Sequence, residues 1–249
     1  MPRPLFLAGL GRSGTTALTE LFDSHPKVAI GMERYKVLVG LEMKGTLTPD
    51  HFTRERFFDF SDGLTNIRPD VHPRWHDLYE ALDRKWDHAE YVGDKLTHLR
   101  IRPILESLPD ARFLCIIRDV RDVAASWDRR ARNEADPAWA ATEGARAALL
   151  PWNRALRRVG RMRRSHPQRV AVVEYERLFG DPDGAAAAAA LQWLGLEPDP
   201  LFDAAFAQAH RRYTQSIAGR ERTLSDEDTA YLEQGADLEL WGRLRQRSL

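Results

Sequence analysis

Near the start of the chain, Pro4 to Gly9 forms an apolar run that stops at a glycine-rich stretch, Gly9-Leu-Gly-Arg-Ser-Gly-Thr-Thr16. An apolar run without alternation reads as a strand buried on both faces, the kind a covered parallel sheet contains. The residues after the glycines, Thr16 to Ser24, place Leu18, Leu21 and Phe22 on one helical face. His25-Pro26 stops that helix, because the residue before proline avoids helical angles. Strand, tight loop and helix in this order aim backbone N–H groups at one point, and a helix N-terminus favours negative charge there.

Against the phosphate-binding pattern G-x-x-x-x-G-K-[ST], Gly9, Gly14 and Thr16 match, and Thr15 stands where lysine is usual. That lysine bridges the β- and γ-phosphates of a nucleoside triphosphate. Without it, a loop with donors from Gly11, Arg12, Ser13, Gly14, Thr15 and Thr16 suits a phosphate-like group better than ATP. The alternatives on the same architecture are a nucleotide-dependent kinase and a non-catalytic nucleotide-binding domain.

Further strands are expected at Val28–Ile30, ending at Tyr91–Gly93, at Arg112–Ile117 and at Val170–Val173. Helical spacing covers Trp75 to Trp86, Thr97 to Leu108, and a stretch from Val120 towards Arg132 that Asp119 can cap. A long helical segment is expected from Trp139 to Arg164, broken at Pro151, and another from Gly184 to Leu194, ended by Gly195. Helices around a polar loop, Tyr213 to Ser225, complete the chain. Strands alternating with helices predict an α/β fold: a three-layer parallel sheet flanked by helices. All 249 residues read as one domain. Residues 40–90, rich in aromatics and histidines, read as an elaboration that helps line a substrate pocket.

Composition excludes several classes. Lys+Arg and Asp+Glu both number 37, giving zero net charge, so no nucleic-acid partner is expected. The single cysteine, Cys115, excludes a disulfide framework and lies in an apolar run, as a buried inert thiol would. No stretch reaches the ~18 apolar residues of a membrane span. With no signal-peptide core at the start, a cytoplasmic location is expected. The eight histidines are read as surface or pocket-lining groups, so no metal site is expected.

Three groups lie where a parallel sheet presents its ligand site, at the carboxyl ends of strands. Glu33 follows the second strand, where a carboxylate beside a bound anion could take a proton from a hydroxyl. The plain alternative is a solvated glutamate paired with Arg34 or Lys36. Lys95 could stabilise charge on a transferred group, although a solvated lysine is the commoner case. Arg118 ends the strand Arg112–Ile117, and Ser126 and Arg130 share a face of the next helix with Asp122. An arginine fork there makes a second anion cradle, against a reading of ordinary helix-surface ion pairs. The acid-free stretch from Arg154 to Arg169 carries Arg154, Arg157, Arg158 and Arg161 on one face, most simply a solvated one.

Together these residues resemble the sulfotransferases that use 3′-phosphoadenosine 5′-phosphosulfate (PAPS). Phe6 to Thr16 resembles their 5′-phosphosulfate loop. Phe113 to Ser126 resembles their 3′-phosphate motif, an Arg with a Ser eight residues on. Ser24 to Glu33 is similar to the tyrosylprotein sulfotransferase branch and its bacterial relatives, where a glutamate at this place is the base. Gly93-Asp-Lys95 resembles their catalytic lysine motif, and Glu174-Tyr175-Glu176 a segment whose tyrosine lies near the nucleotide. The resemblance implies a P-loop-like fold and transfer of a sulfuryl group from PAPS to an acceptor hydroxyl on a small molecule, glycan or peptide, leaving PAP. It implies Glu33 as base, Lys95 and Arg12 as charge stabilisers, and Arg118, Ser126, Arg130 and Tyr175 as nucleotide contacts, with no metal. Ser216, Arg220 and Arg222 are the residues that a loop closing over the nucleotide would offer.

Overall fold

A computed structural model of the chain describes residues 2–40, 45–133, 139–140, 142–218 and 224–249. The opening apolar run is β1 (Arg3–Gly9), with Leu5, Phe6, Leu7 and Ala8 all at 0% exposure. It is the central strand of a five-stranded, all-parallel sheet. In chain order come α1 (Thr15–Asp23), β2 (Val28–Met32), the short α2 (Lys36–Val39) and α3 (Arg54–Phe57), and α4 (Pro73–Lys85). Then follow β3 (Tyr91–Leu96), α5 (Ile101–Ser107), β4 (Arg112–Ile117), α6 (Val120–Ala131), α7 (Leu149–Ser165) and β5 (Val170–Glu174). The chain ends through α8 (Tyr175–Gly180), α9 (Ala185–Leu194), α10 (Pro200–Ala218), α11 (Asp226–Gly235) and α12 (Leu238–Gln246). The strands lie in the order β2-β3-β1-β4-β5.

Residues of β1 alternate between two cores. Leu5 and Leu7 join Leu114, Ile116 and Val173 beneath α1, α8 and α9. Phe6 and Ala8 join Phe113, Cys115 and Val172 on the other face, with α5, α6, α7 and α12. Phe6 stacks on Phe113 with ring centroids 4.9 Å apart. Each such ring, fully buried, contributes about 1.5–3 kcal/mol. Burial pushes the Cys115 thiol up to about 12, which leaves it protonated and unreactive. Because α1 leaves β1 on one face and β4 feeds helices on the other, the chain opens a crevice at the carboxyl ends of these strands.

Three elements depart from the sequence reading, two of them because of proline. Strand β3 continues through Lys95 and α5 starts only at Ile101, not at Thr97. A helix from Thr97 would have placed Pro103 in its interior; in α5 Pro103 falls in the first turn, where the missing N–H costs nothing. Pro151 likewise sits in the first turn of α7, so it starts that helix at Leu149 and does not break one begun at Trp139. The polar loop expected from Tyr213 is helical as far as Ala218, since α10 runs on with Tyr213 packed against Gly180 and the Tyr175 ring.

Residues 45–90 lay a layer on the β2 edge. Phe57 (0%), Tyr79 (2%), Trp86 (5%) and Phe52 (6%) are buried in the core, so these four aromatics hold the layer to the sheet. Among the described residues, no helix is long and apolar enough to cross a membrane.

Candidate active site

The glycine loop owes its shape to two left-handed residues, Arg12 (φ 73°) and Gly14 (φ 94°). Gly14 precedes α1, whose first amides have no acceptor within the helix. A Cβ on Gly14 would lie 2.3 Å from the ring of Tyr175, which closes the loop from the start of α8. Gly14→Ala should therefore lower stability by roughly 1–3 kcal/mol, the scale of overpacking and backbone strain. It should weaken PAP binding too; a melting curve and a titration check both.

The loop is tied to β4 and α6 by cross-contacts. Arg12 Nε donates to Ser126 Oγ at 3.0 Å. Arg118 Nη1 donates to the Arg12 carbonyl at 3.3 Å, and Trp127 Nε1 to the Gly11 carbonyl at 3.2 Å. From α7, Trp152 Nε1 holds the Arg118 carbonyl at 2.8 Å. The Arg118 guanidinium rests 4.2 Å over the Tyr175 ring. Arg12, Ser126, Arg118 and Tyr175 thus converge. Ser13 and Thr15 are buried, Gly11 and Thr16 half-buried. Arg130, one turn beyond Ser126, lies over the Trp139 ring at 4.6 Å. Ser216 on α10 donates to the Tyr213 carbonyl, and Arg220 and Arg222 lie outside the described residues.

A donor set of helix-start amides, two guanidiniums and a hydroxyl fits phosphate groups. Arg118 Nε is buried without a hydrogen-bond acceptor, as a guanidinium awaiting an anion would be.

Glu33 and Lys95 meet at the ends of β2 and β3, on the far side of β1 from β4. Lys95 is paired in register with Leu7 of β1 and Met32 of β2, which brings it beside both the loop strand and the strand leading to Glu33. Its Nζ lies 2.9 Å from Glu33 Oε1, and Lys36 Nζ lies 3.5 Å from Oε2. Burial acts to raise the Glu33 pKa, but the two ammonium groups outweigh it and hold the carboxyl below its ordinary value. Glu33 is thus an ionised acceptor at neutral pH. The expected partner Arg34 is elsewhere: it is fully buried and bonds to both oxygens of Asp62. His98, half-buried just after β3, feels the charge of Glu33, and its burial lowers its pKa.

Glu176 was missed by the sequence reading, although it adjoins Tyr175. Its Oε1 accepts from the Asp119 amide at 3.3 Å and lies 3.9 Å from Arg118 Nε, while Oε2 has no hydrogen-bond partner. Asp122 adds a second acid 3.6 Å from Arg118. Burial raises the Glu176 pKa to about 7. Above that pH the ionised Glu176 competes with an incoming phosphate for Arg118; below it the carboxyl is neutral. Glu176→Gln should bind PAP severalfold more tightly than the parent at pH 8 and equally at pH 6, read by calorimetry.

A cavity of about 380 Å³ between α9 and α10 shares no residue with this crevice. His76, Asp77 and Glu80 bring possible metal ligands within 4.8 Å of one another, but all three are exposed on α4.

The profile of the sulfotransferase family matches residues 4–200, which takes in the loop, Glu33, Lys95, Arg118, Ser126 and Tyr175. The chain belongs to the sulfotransferase family. A Caenorhabditis briggsae protein assigned to the protein-tyrosine sulfotransferases is 25% identical over 181 residues, 72% of this chain and 61% of the relative. The chain thus spans about three-fifths of that relative's length. Among solved structures, the sulfotransferase domain of the Synechococcus PCC 7002 olefin synthase is 19% identical, with a TM-score of 0.54 over 94% of each chain. Mouse sulfotransferase SULT7A1, solved with PAP, is 14% identical, with a TM-score of 0.50 over 96% of this chain and 77% of its own. Both share the α/β fold of this chain.

Proposed function

We propose that the chain moves the sulfuryl group of PAPS to an acceptor hydroxyl, releasing PAP. The observation that carries this reading is the Glu33–Lys95 pair, 2.9 Å apart, at the end of the strands next to the anion loop. The 5′-phosphosulfate belongs on residues 11–16 and the 3′-phosphate on Arg118 and Ser126, with Arg130 one turn further along α6. PAP in the mouse relative supports the same nucleotide here.

Glu33 takes the proton as the acceptor oxygen attacks sulfur, and the bond from sulfur to the 5′-phosphate oxygen breaks. Lys95, Arg12 and the loop amides offset charge on the sulfuryl oxygens and on the departing phosphate. Fixed cations fill the part that Mg²⁺ plays with nucleoside triphosphates, so the reading needs no metal. As Lys95 turns to the leaving group its hold on Glu33 weakens, and the carboxylate becomes a better base at that moment.

The chain acts as one catalytic domain, with residues 40–90 shaping the acceptor side. The acceptor is a hydroxyl compound, and neither nucleic acid nor membrane enters the reading. The single buried thiol accords with a cytoplasmic location. Incubation with labelled PAPS and a panel of phenols, alcohols, glycans and tyrosine peptides, read by mass spectrometry, tests the activity. Sulfated product with equimolar PAP is expected. Stabilisation by ATP with Mg²⁺ and none by PAP would overturn the reading.

A further inference from the structure

Asp94 takes no part in the transfer as described, yet it is a fully buried carboxylate next to Lys95. Its Oδ1 accepts from the Arg34 amide at 2.9 Å and its Oδ2 from the Tyr35 amide at 3.0 Å. These are the two amides that follow Glu33, whose φ of 54° lies in the left-handed region that a glutamate rarely adopts. Such a backbone persists only where its surroundings enforce it.

The enforcement comes from the neighbouring strand. In the β2–β3 register Asp94 stands opposite Gly31, one step before Lys95 stands opposite Met32. A Cβ on Gly31 would lie 3.4 Å from Asp94 Oδ1 and 2.7 Å from the Phe57 ring, so glycine leaves the carboxylate its path over the end of β2. Consecutive residues of β3 thus hold the backbone after Glu33 and pair with its side chain. The outer side of the turn is fixed as well: the Arg34 guanidinium donates to the carbonyls of Phe57 and Asp59 at 2.7 and 2.6 Å.

We propose that Asp94 is a positioning residue for the general base: by gripping the amides of Arg34 and Tyr35 it aims the Glu33 carboxylate into the crevice. The inference rests on Glu33 being the base. Asparagine at 94 keeps the size but turns a donor towards one of the two amides. A misplaced base costs up to about a hundredfold in rate, whereas a merely structural aspartate would lower the melting temperature and leave kcat alone.

The test measures kcat, the KM for PAPS and the affinity for PAP in Asp94→Asn, Glu33→Gln and the double variant. The rate is transfer from labelled PAPS to 4-nitrophenol or, if no phenol is accepted, release of PAP in water. Expected for Asp94→Asn is a kcat lower by about thirtyfold, with PAP affinity and the KM for PAPS within threefold. On the Glu33→Gln background the same change should cost less than threefold, because the group it acts through is gone. If Asp94→Asn does not fold, Asp94→Ser, which keeps one acceptor, is read in the same way. A kcat within threefold of the parent overturns the proposal, and so does an equal loss on both backgrounds. Parental turnover in Glu33→Gln would instead overturn the base assignment beneath it.

Discussion

Turnover should fall by about a thousandfold in Glu33→Gln, within the range that a positioned general base supplies. Glutamine has nearly the same shape, so the turn after β2 and its bonds to Asp94 should survive. The lost group is the proposed proton acceptor. PAP should bind at least as tightly as before, since removing a carboxylate beside Lys95 leaves the crevice more positive. Single-turnover transfer from labelled PAPS gives the first quantity and calorimetry the second. Because Lys95 and Lys36 keep the Glu33 carboxyl below its ordinary value, the parent should hold its per-complex rate as pH falls to about 5. Near-parental turnover in the glutamine variant would remove Glu33 from the chemistry.

Arg118→Ala should weaken PAP binding by roughly 2–4 kcal/mol, the cost of deleting one side of a desolvated charge pair. The side chain is 13% exposed, so solvent screening is slight. Its removal also strips the cover from Tyr175 and leaves Glu176 and Asp122 facing the phosphate. In the variant the affinity should fall further towards alkaline pH, because Glu176, freed of the Arg118 charge that lowers its pKa in the parent, gains its own charge there. Unchanged affinity by calorimetry would place the 3′-phosphate elsewhere.

What could be read from the sequence divides by range. The strand–loop–helix of residues 4–24 and the strand–helix of 112–131 were legible because each proposed binding group sits in one contiguous stretch of simple pattern. Glu33 and Lys95 were legible only through family resemblance: each alone is an unremarkable charged residue after a strand, and only the register of β2 on β3 makes them a pair. The grip of Asp94 on Arg34 and Tyr35 spans about sixty positions and leaves no local mark. Glu176 matters through the fold that brings β4 beside β5. The helix starts at Ile101 and Leu149 were in principle readable, since Pro103 and Pro151 each fit a first turn and not an interior.

Two described residues other than glycine have a left-handed backbone, Arg12 and Glu33, and both face the crevice. Strain of this kind amounts to about 1–3 kcal/mol per residue. A campaign that selected this protein for heat resistance alone would be drawn to glycine at the exposed Arg12, where it would gain stability by dismantling the anion loop; at Glu33 glycine would strand the buried Lys95 without its carboxylate and lose more than it gained. Thermostability screens on this chain therefore need a turnover assay alongside them.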